Sequence, residues 1–151
     1  MREYSLGDLL LRYFLHGVAF SLLGTVLLLV WVMLLLFLVM IGWFIGLIIG
    51  IIALLLFISG LNVFLSGVIW SINVKTGVLS LLGHGLVLGL LQAVAHIPAI
   101  IVNLAIPSLA STIPVFVVYC FVDGFIAKSV AGWWEEEFAP EDEVYPPPQT
   151  D

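Results

Sequence analysis

No Asp, Glu, Lys or Arg occurs between Arg12 and Lys75. A single α-helix over that interval of roughly 60 residues would be about 90 Å long at about 1.5 Å per residue. The hydrocarbon core of a bilayer is about 30 Å thick and is crossed by about 20 residues. The stretch therefore has to fold back on itself. Lipid is the solvent in which it can do so. The chain is 63% hydrophobic and only 9% charged, against about 25% charged in a soluble domain, so it lacks the polar surface to cover a water-soluble globule.

The expected fold class is all-α: a polytopic integral membrane protein with four transmembrane helices, an N-terminal amphipathic segment and an acidic, disordered C-terminal tail. Residues 1–16 read as an interfacial segment. Ser5 and Asp8 have capping-box spacing. Asp8, Arg12 and His16 recur every fourth residue and share one helical face, with Asp8 placed to pair with Arg12. The four-helix domain is expected over 17–134, with spans at about 17–40, 46–71, 78–106 and 109–128. The first fold-back falls near Ile41 to Gly46, with Trp43 at headgroup level. Residues 135–151 hold seven of the ten acidic residues and the run Pro146-Pro147-Pro148, the composition of a solvated tail.

Span 2 has two distinct faces. Gly42, Gly46 and Gly50 open a stripe that continues through Ala53, Phe57, Gly60 and Gly67. Small residues at this spacing let another helix backbone come close, which is how helices associate in lipid. Ser59, Asn62, Ser66 and Asn73 gather on the other side. Such a helix belongs between neighbours rather than against lipid. Span 3 carries Gly85, Gly89, Gln92, His96, Ala99 and Asn103 on one stripe, with Pro98 off it and removing the bond to the Val94 carbonyl. The helix-packing set is thus Gly42, Gly46, Gly50, Gly60, Gly67, Gly85 and Gly89.

The basic residues Arg2, Arg12, Lys75 and Lys128 all fall at one end of a four-span bundle. The positive-inside rule places that end, with both termini, in the cytoplasm. The membrane part is near neutral and the tail is acidic, which excludes a nucleic-acid partner. The lone Cys120 can form no intrachain disulfide.

Ionisable groups inside lipid are costly and mark functional sites by default. Gln92 and Asp123 lie at equal depths from the outer turn between spans 3 and 4, and His96 is one helical turn from Gln92. Gln92, His96, Asn103 and Asp123 are therefore the candidate ion or proton path. The alternative role for these polar groups is to glue helices together. His16 and His84 are the one histidine pair that facing helices could offer to a haem. No metalloprotease, serine-hydrolase, phosphate-loop or paired-cysteine motif is present, so no catalytic residue, metal or cofactor is predicted and the chain leans away from being an enzyme. The expected function is that of a scaffold, accessory or assembly subunit, packing through glycine-rich faces with copies of itself or a membrane complex in the lipid bilayer. The alternative is a small transporter or channel protomer using the span 3 stripe and Asp123.

Overall fold

A computed structural model describes residues 4–135. Within them the chain is helical: α1 Leu6–Ile41, α2 Trp43–Leu65, α3 Val78–Ala105 and α4 Leu109–Trp133. A π-helical turn, Ser66–Trp70, extends α2. All four helices are long and apolar enough to cross a membrane. Each packs against its sequence neighbours, and α4 closes the ring against α1. The result is an up-down-up-down bundle of two hairpins, α1–α2 and α3–α4.

Ser5 starts α1, its hydroxyl accepting from the Asp8 N–H at 3.2 Å. The Asp8 carboxylate turns forward to Arg12 Nε at 3.0 Å, so only one half of the expected capping box forms. The helix then runs unbroken to Ile41, and residues 6–16 are its first turns rather than a separate element. At 36 residues it is about 54 Å long, well over the bilayer core.

Gly42 alone separates α1 from α2. Its φ of −176° is extended backbone open to any residue. The tight reversal depends instead on Gly46, where an added Cβ would meet the backbone of Leu38 and Val39. One turn on, the Gly50 carbonyl accepts from Trp31 Nε1 at 2.7 Å. That bond gives an indole N–H in an apolar setting the partner it requires.

The π turn at Ser66–Trp70 rotates Trp70 inward, where it is buried, and Ser71 ends the helix in the left-handed region with φ 57°. Span 2 is thus helical from Trp43 rather than from residue 46. Span 4 extends to Trp133, five residues beyond the expected 128. The helix of span 3 continues through Pro98. The connector before α3 is fastened to the end of α4. Val74 forms an antiparallel bridge with Glu135, and the Lys75 N–H donates to the Trp134 carbonyl at 3.0 Å.

Contacts between the hairpins concentrate at this terminal end. An added Cβ at Gly17 would collide with the Cys120 backbone, and one at Gly124 with the Tyr13 backbone, so α1 and α4 touch main chain to main chain. Gly85 lies in the same way against Leu55 of α2. Leu88, Ala127 and Val130 form the core, flanked by Phe20, Ile58, Val87, Ile126 and Trp134. Toward the two turns the interior disappears. Between residues 28 and 53 only Gly46 and Gly50 are buried, and between 97 and 118 only Ala99 is, among the described side chains.

Candidate functional site

Two polar groupings occupy the bundle. The first joins three helices near the terminal end. Trp70 Nε1 donates to His16 Nδ1 at 2.9 Å. An indole N–H can only donate, so His16 Nδ1 accepts and its proton sits on Nε2. That N–H meets Asn62 Oδ1 at 3.1 Å. The orientation of the Asn62 amide follows, and its Nδ2 donates to His84 Nε2 at 3.0 Å. His84 then carries its proton on Nδ1, which donates to Ser59 Oγ at 2.8 Å. His16, Ser59, Asn62 and His84 are completely buried.

Every link in this chain points the same way. It begins at an indole that gives up no proton and passes through an amide that relays none. It is therefore a device for holding α1, α2 and α3 in one register, not a proton wire. His16 and His84, singled out as a possible haem pair, face one another across Asn62 with every ring nitrogen hydrogen bonded. The polar face of span 2 supplies Ser59 and Asn62 as the central links. Ser66 is buried too, but its hydroxyl has no partner.

The second grouping lies where α3 meets α4. His96 Nδ1 lies 2.7 Å from the Gln92 carbonyl. A carbonyl only accepts, so Nδ1 bears a proton. His96 Nε2 stands 3.4 Å from Asp123 Oδ2. At that distance the two ionisable side chains are within ion-pair reach of one another. The ring of Tyr119 covers His96, with centroids 4.8 Å apart. Asp123 is 4% exposed and Gln92 9%, and both keep an atom without a partner: Asp123 Oδ1 and Gln92 Nε2.

Two open cavities flank this pair. The larger, about 360 Å³, is lined by Gln92, His96 and Asp123 together with residues of α1 and α2, Ser21, Thr25, Leu54 and Phe57 among them. The smaller, about 180 Å³, runs past Tyr119 to Asn103 and Thr112. Ser21, His96 and Asp123 line both. Asn103 does not touch the pair. Its Oδ1 is 3.5 Å from Thr112 Oγ1.

The glycines named from the sequence divide clearly. An added Cβ at Gly46 or Gly85 would strike backbone, at Gly50 it would strike the Leu35 side chain, and at Gly89 it would just reach Ile58 at 3.9 Å. Gly42, Gly60 and Gly67 have nothing within 4 Å. The α1–α4 approach at Gly17 and Gly124 was not among them. The signal for it is present: Gly17 and Ser21 on α1, and Cys120, Gly124 and Ala127 on α4, are small residues three or four apart. Trp70 carries a signal of the same kind: at 100° per residue it falls on the stripe of Ser59, Asn62 and Ser66. Among the described residues no group of His, Cys, Asp and Glu is arranged to hold a metal ion.

Among the described residues, fold and site together define an all-helical protein with four helices fit to cross a membrane and an ionisable pair, His96 and Asp123, between two of them. No family model, curated protein or solved structure matches this chain.

Proposed function

We propose that the protein is a small multi-pass integral membrane protein that acts as an accessory or assembly subunit. The observation that carries this is the large apolar surface left on the outer halves of both hairpins. Over residues 28–53 a narrow stripe of Trp31, Leu34, Leu35, Leu38, Gly46 and Gly50 turns inward, between α1 and α2 themselves, and over 97–118 only Ala99 is buried among the described side chains; most of the remaining large apolar side chains are exposed. Water cannot cover that surface, and helices in lipid gain by packing on other helices. Met33, Leu36, Phe37 and Met40 on one arm, and Ile97, Ile101 and Leu104 on the other, then meet a second copy or a membrane-complex partner. Gly46, Gly50 and Gly85 are already used between helices of the same chain, which favours contacts made by these larger side chains over the glycine-rich faces expected from the sequence.

The proposed topology has both termini in the cytoplasm. Arg12, Lys75 and Lys128 support it by gathering at one end. Arg12 donates to the Ile69 carbonyl, Lys128 sits over the rings of Tyr13 and Trp70, and Lys75 joins the Trp134 backbone. Residues 1–16 are proposed as an amphipathic, interfacial segment, of which Leu6 to His16 are the first turns of α1. The acidic tail beyond Glu135 lies outside the described residues and is proposed as a solvated cytoplasmic extension. Photo-crosslinkers at Leu36 and Ile101 test the assembly role. The expected result is a stoichiometric crosslink to a second copy or one defined chain, absent when the crosslinker is at the buried Val130. A monomer that crosslinks to lipid alone removes the proposal.

A transport role has one observation in its favour, the placement of His96 and Asp123 between two cavities. Against a through-path stands the packed layer of Leu88, Ala127 and Val130 on the terminal side. Proton flux in liposomes that is lost in Asp123→Asn would establish this role in place of the assembly one.

A further inference from the structure

We infer that a cavity at the terminal end of the bundle binds the headgroup of a phospholipid carrying both a phosphate and a primary ammonium, the phosphoethanolamine class. This rests on the chain spanning a bilayer and not on the assembly role. The cavity is open, about 640 Å³, and lies between the segment leading into α1, the end of α2 and the end of α4. Tyr4, Tyr13, Trp70 and Trp133 line it, together with Lys128 and Glu135. Aromatic rings beside a lysine at helix ends are what the headgroup layer of a bilayer meets.

Two opposite charges in this cavity are unanswered. The Lys128 ammonium stands 4.8 Å from the ring centre of Trp70 and 5.5 Å from that of Tyr13, both rings of the cavity wall. Among the described residues the ion pairs are Asp8 with Arg12 and His96 with Asp123, so Lys128 and Glu135 do not pair with each other. Lys128 Nζ makes no side-chain hydrogen bond there and is not one of the buried atoms left without a partner, so it is open to a ligand. Glu135 is exposed.

Those charges define the ligand. A phosphate alone would answer Lys128 and face the Glu135 carboxylate, and a cation alone would do the reverse. A zwitterion answers both: its phosphate oxygen accepts from Lys128 Nζ while its ammonium donates to Glu135. The rings decide which ammonium. A quaternary one is held by aromatic faces, but Tyr4 already faces Arg12 at 4.6 Å, and Tyr13 and Trp70 face Lys128. The chain's own cations hold those faces. What is left for the ammonium end is a carboxylate, and only an ammonium that bears N–H can donate to it.

The experiment is native mass spectrometry of the full-length protein, delipidated in a non-ionic detergent. It is titrated separately with phosphatidylethanolamine, phosphatidylcholine and phosphatidylglycerol of identical acyl chains. The expected result is one phosphatidylethanolamine per chain, bound about tenfold more tightly than either of the others, the scale of one charge-assisted hydrogen bond. Lys128→Gln weakens it by about tenfold on the same grounds. Glu135→Lys, at an exposed position, reverses the order and puts phosphatidylglycerol first. Glycerophosphoethanolamine, the same headgroup without acyl chains, does not displace the lipid at equal concentration. Monodisperse elution and unchanged helicity verify the fold of each variant, and Glu135→Lys carries the test if Lys128→Gln does not fold. Equal binding of the three lipids overturns the inference, as does an order that folded Glu135→Lys leaves unchanged. Displacement by glycerophosphoethanolamine shows a site for a soluble phosphoester and overturns it too. A protein that needs detergent to stay dispersed yet shows no preference overturns the inference and leaves the membrane-spanning reading standing.

Discussion

Trp70 donates its indole N–H to His16 Nδ1 across 2.9 Å, and this one bond sets the direction of every hydrogen bond that follows it to Ser59. The indole can play only one role, so His16, Asn62 and His84 have no freedom left in how they place their protons. Such a chain gives the bundle specificity. A rotation of α1 or α3 by one residue would leave several buried polar atoms unpaired at once, each costing about 1–3 kcal/mol.

Trp70→Phe keeps the aromatic bulk and removes the donor. It should destabilise the bundle by about 1–3 kcal/mol, the cost of one orphaned buried acceptor. Asn62→Leu orphans His16 Nε2 and His84 Nε2 together and should cost more than Trp70→Phe. Unfolding titrations in mixed detergent micelles measure both. Equal or negligible losses would mean that water enters and replaces the amide.

Gly17→Val and Gly124→Val should separate α1 from α4, because either Cβ runs into the backbone of the opposite helix. Overpacking of this kind costs about 1–3 kcal/mol or more. Gly60→Val should be close to neutral, since Gly60 has nothing within 4 Å. The three variants, compared by thermal unfolding in detergent, separate glycines that seat a neighbouring helix from glycines that do not. A Gly60→Val loss as large as the others would place a partner helix on that face of α2.

The helices were legible in the sequence because lipid leaves the backbone few choices: uncharged runs of this length are helices or nothing. The fold-back at Gly42 fell inside the expected window for the same reason, and its exact start did not, because no polar loop marks it. The small spacing that identifies Gly85 is also present around Gly17 on α1 and Gly124 on α4, where it marks the contact between those two helices. The pairing of His96 with Gln92 follows from helical spacing. Which atoms stay unpartnered depends on side-chain rotamers and on how far apart the hairpins stand, and neither is written in a periodicity. The link from Trp70 to His16 is harder still, since it depends on a π turn that no local pattern announces.

His96→Leu should destabilise the protein more than the double variant His96→Leu/Asp123→Leu. Removing His96 leaves Asp123, 4% exposed, without the ionisable side chain beside it; breaking a fully buried pair costs about 3–5 kcal/mol, and the 38% exposure of His96 brings the expected loss below that. Replacing both by hydrocarbon removes the debt entirely. A double-mutant cycle by detergent unfolding gives the coupling directly. Additive losses would show that His96 and Asp123 do not interact across their 3.4 Å contact.

Single cysteines test the four-span topology. Cys120 is buried and Gly17 packs against its backbone, not its sulfur, so Cys120→Ala gives a usable background. On that background Trp43→Cys and Ser108→Cys lie at the two far turns, and Lys75→Cys lies in the connector between α2 and α3. A membrane-impermeant maleimide added to intact cells should label the first two and leave Lys75→Cys unlabelled until the membrane is opened. The expectation follows from the proposed orientation, in which Arg12, Lys75 and Lys128 share the cytoplasmic end of the bundle. Labelling of Trp43→Cys only after permeabilisation would mean that α1 and α2 dip into one leaflet and return without crossing. The outer halves of the hairpins would then rest within that leaflet, and the exposed face of residues 28–53 would be a lipid surface rather than a seat for other helices.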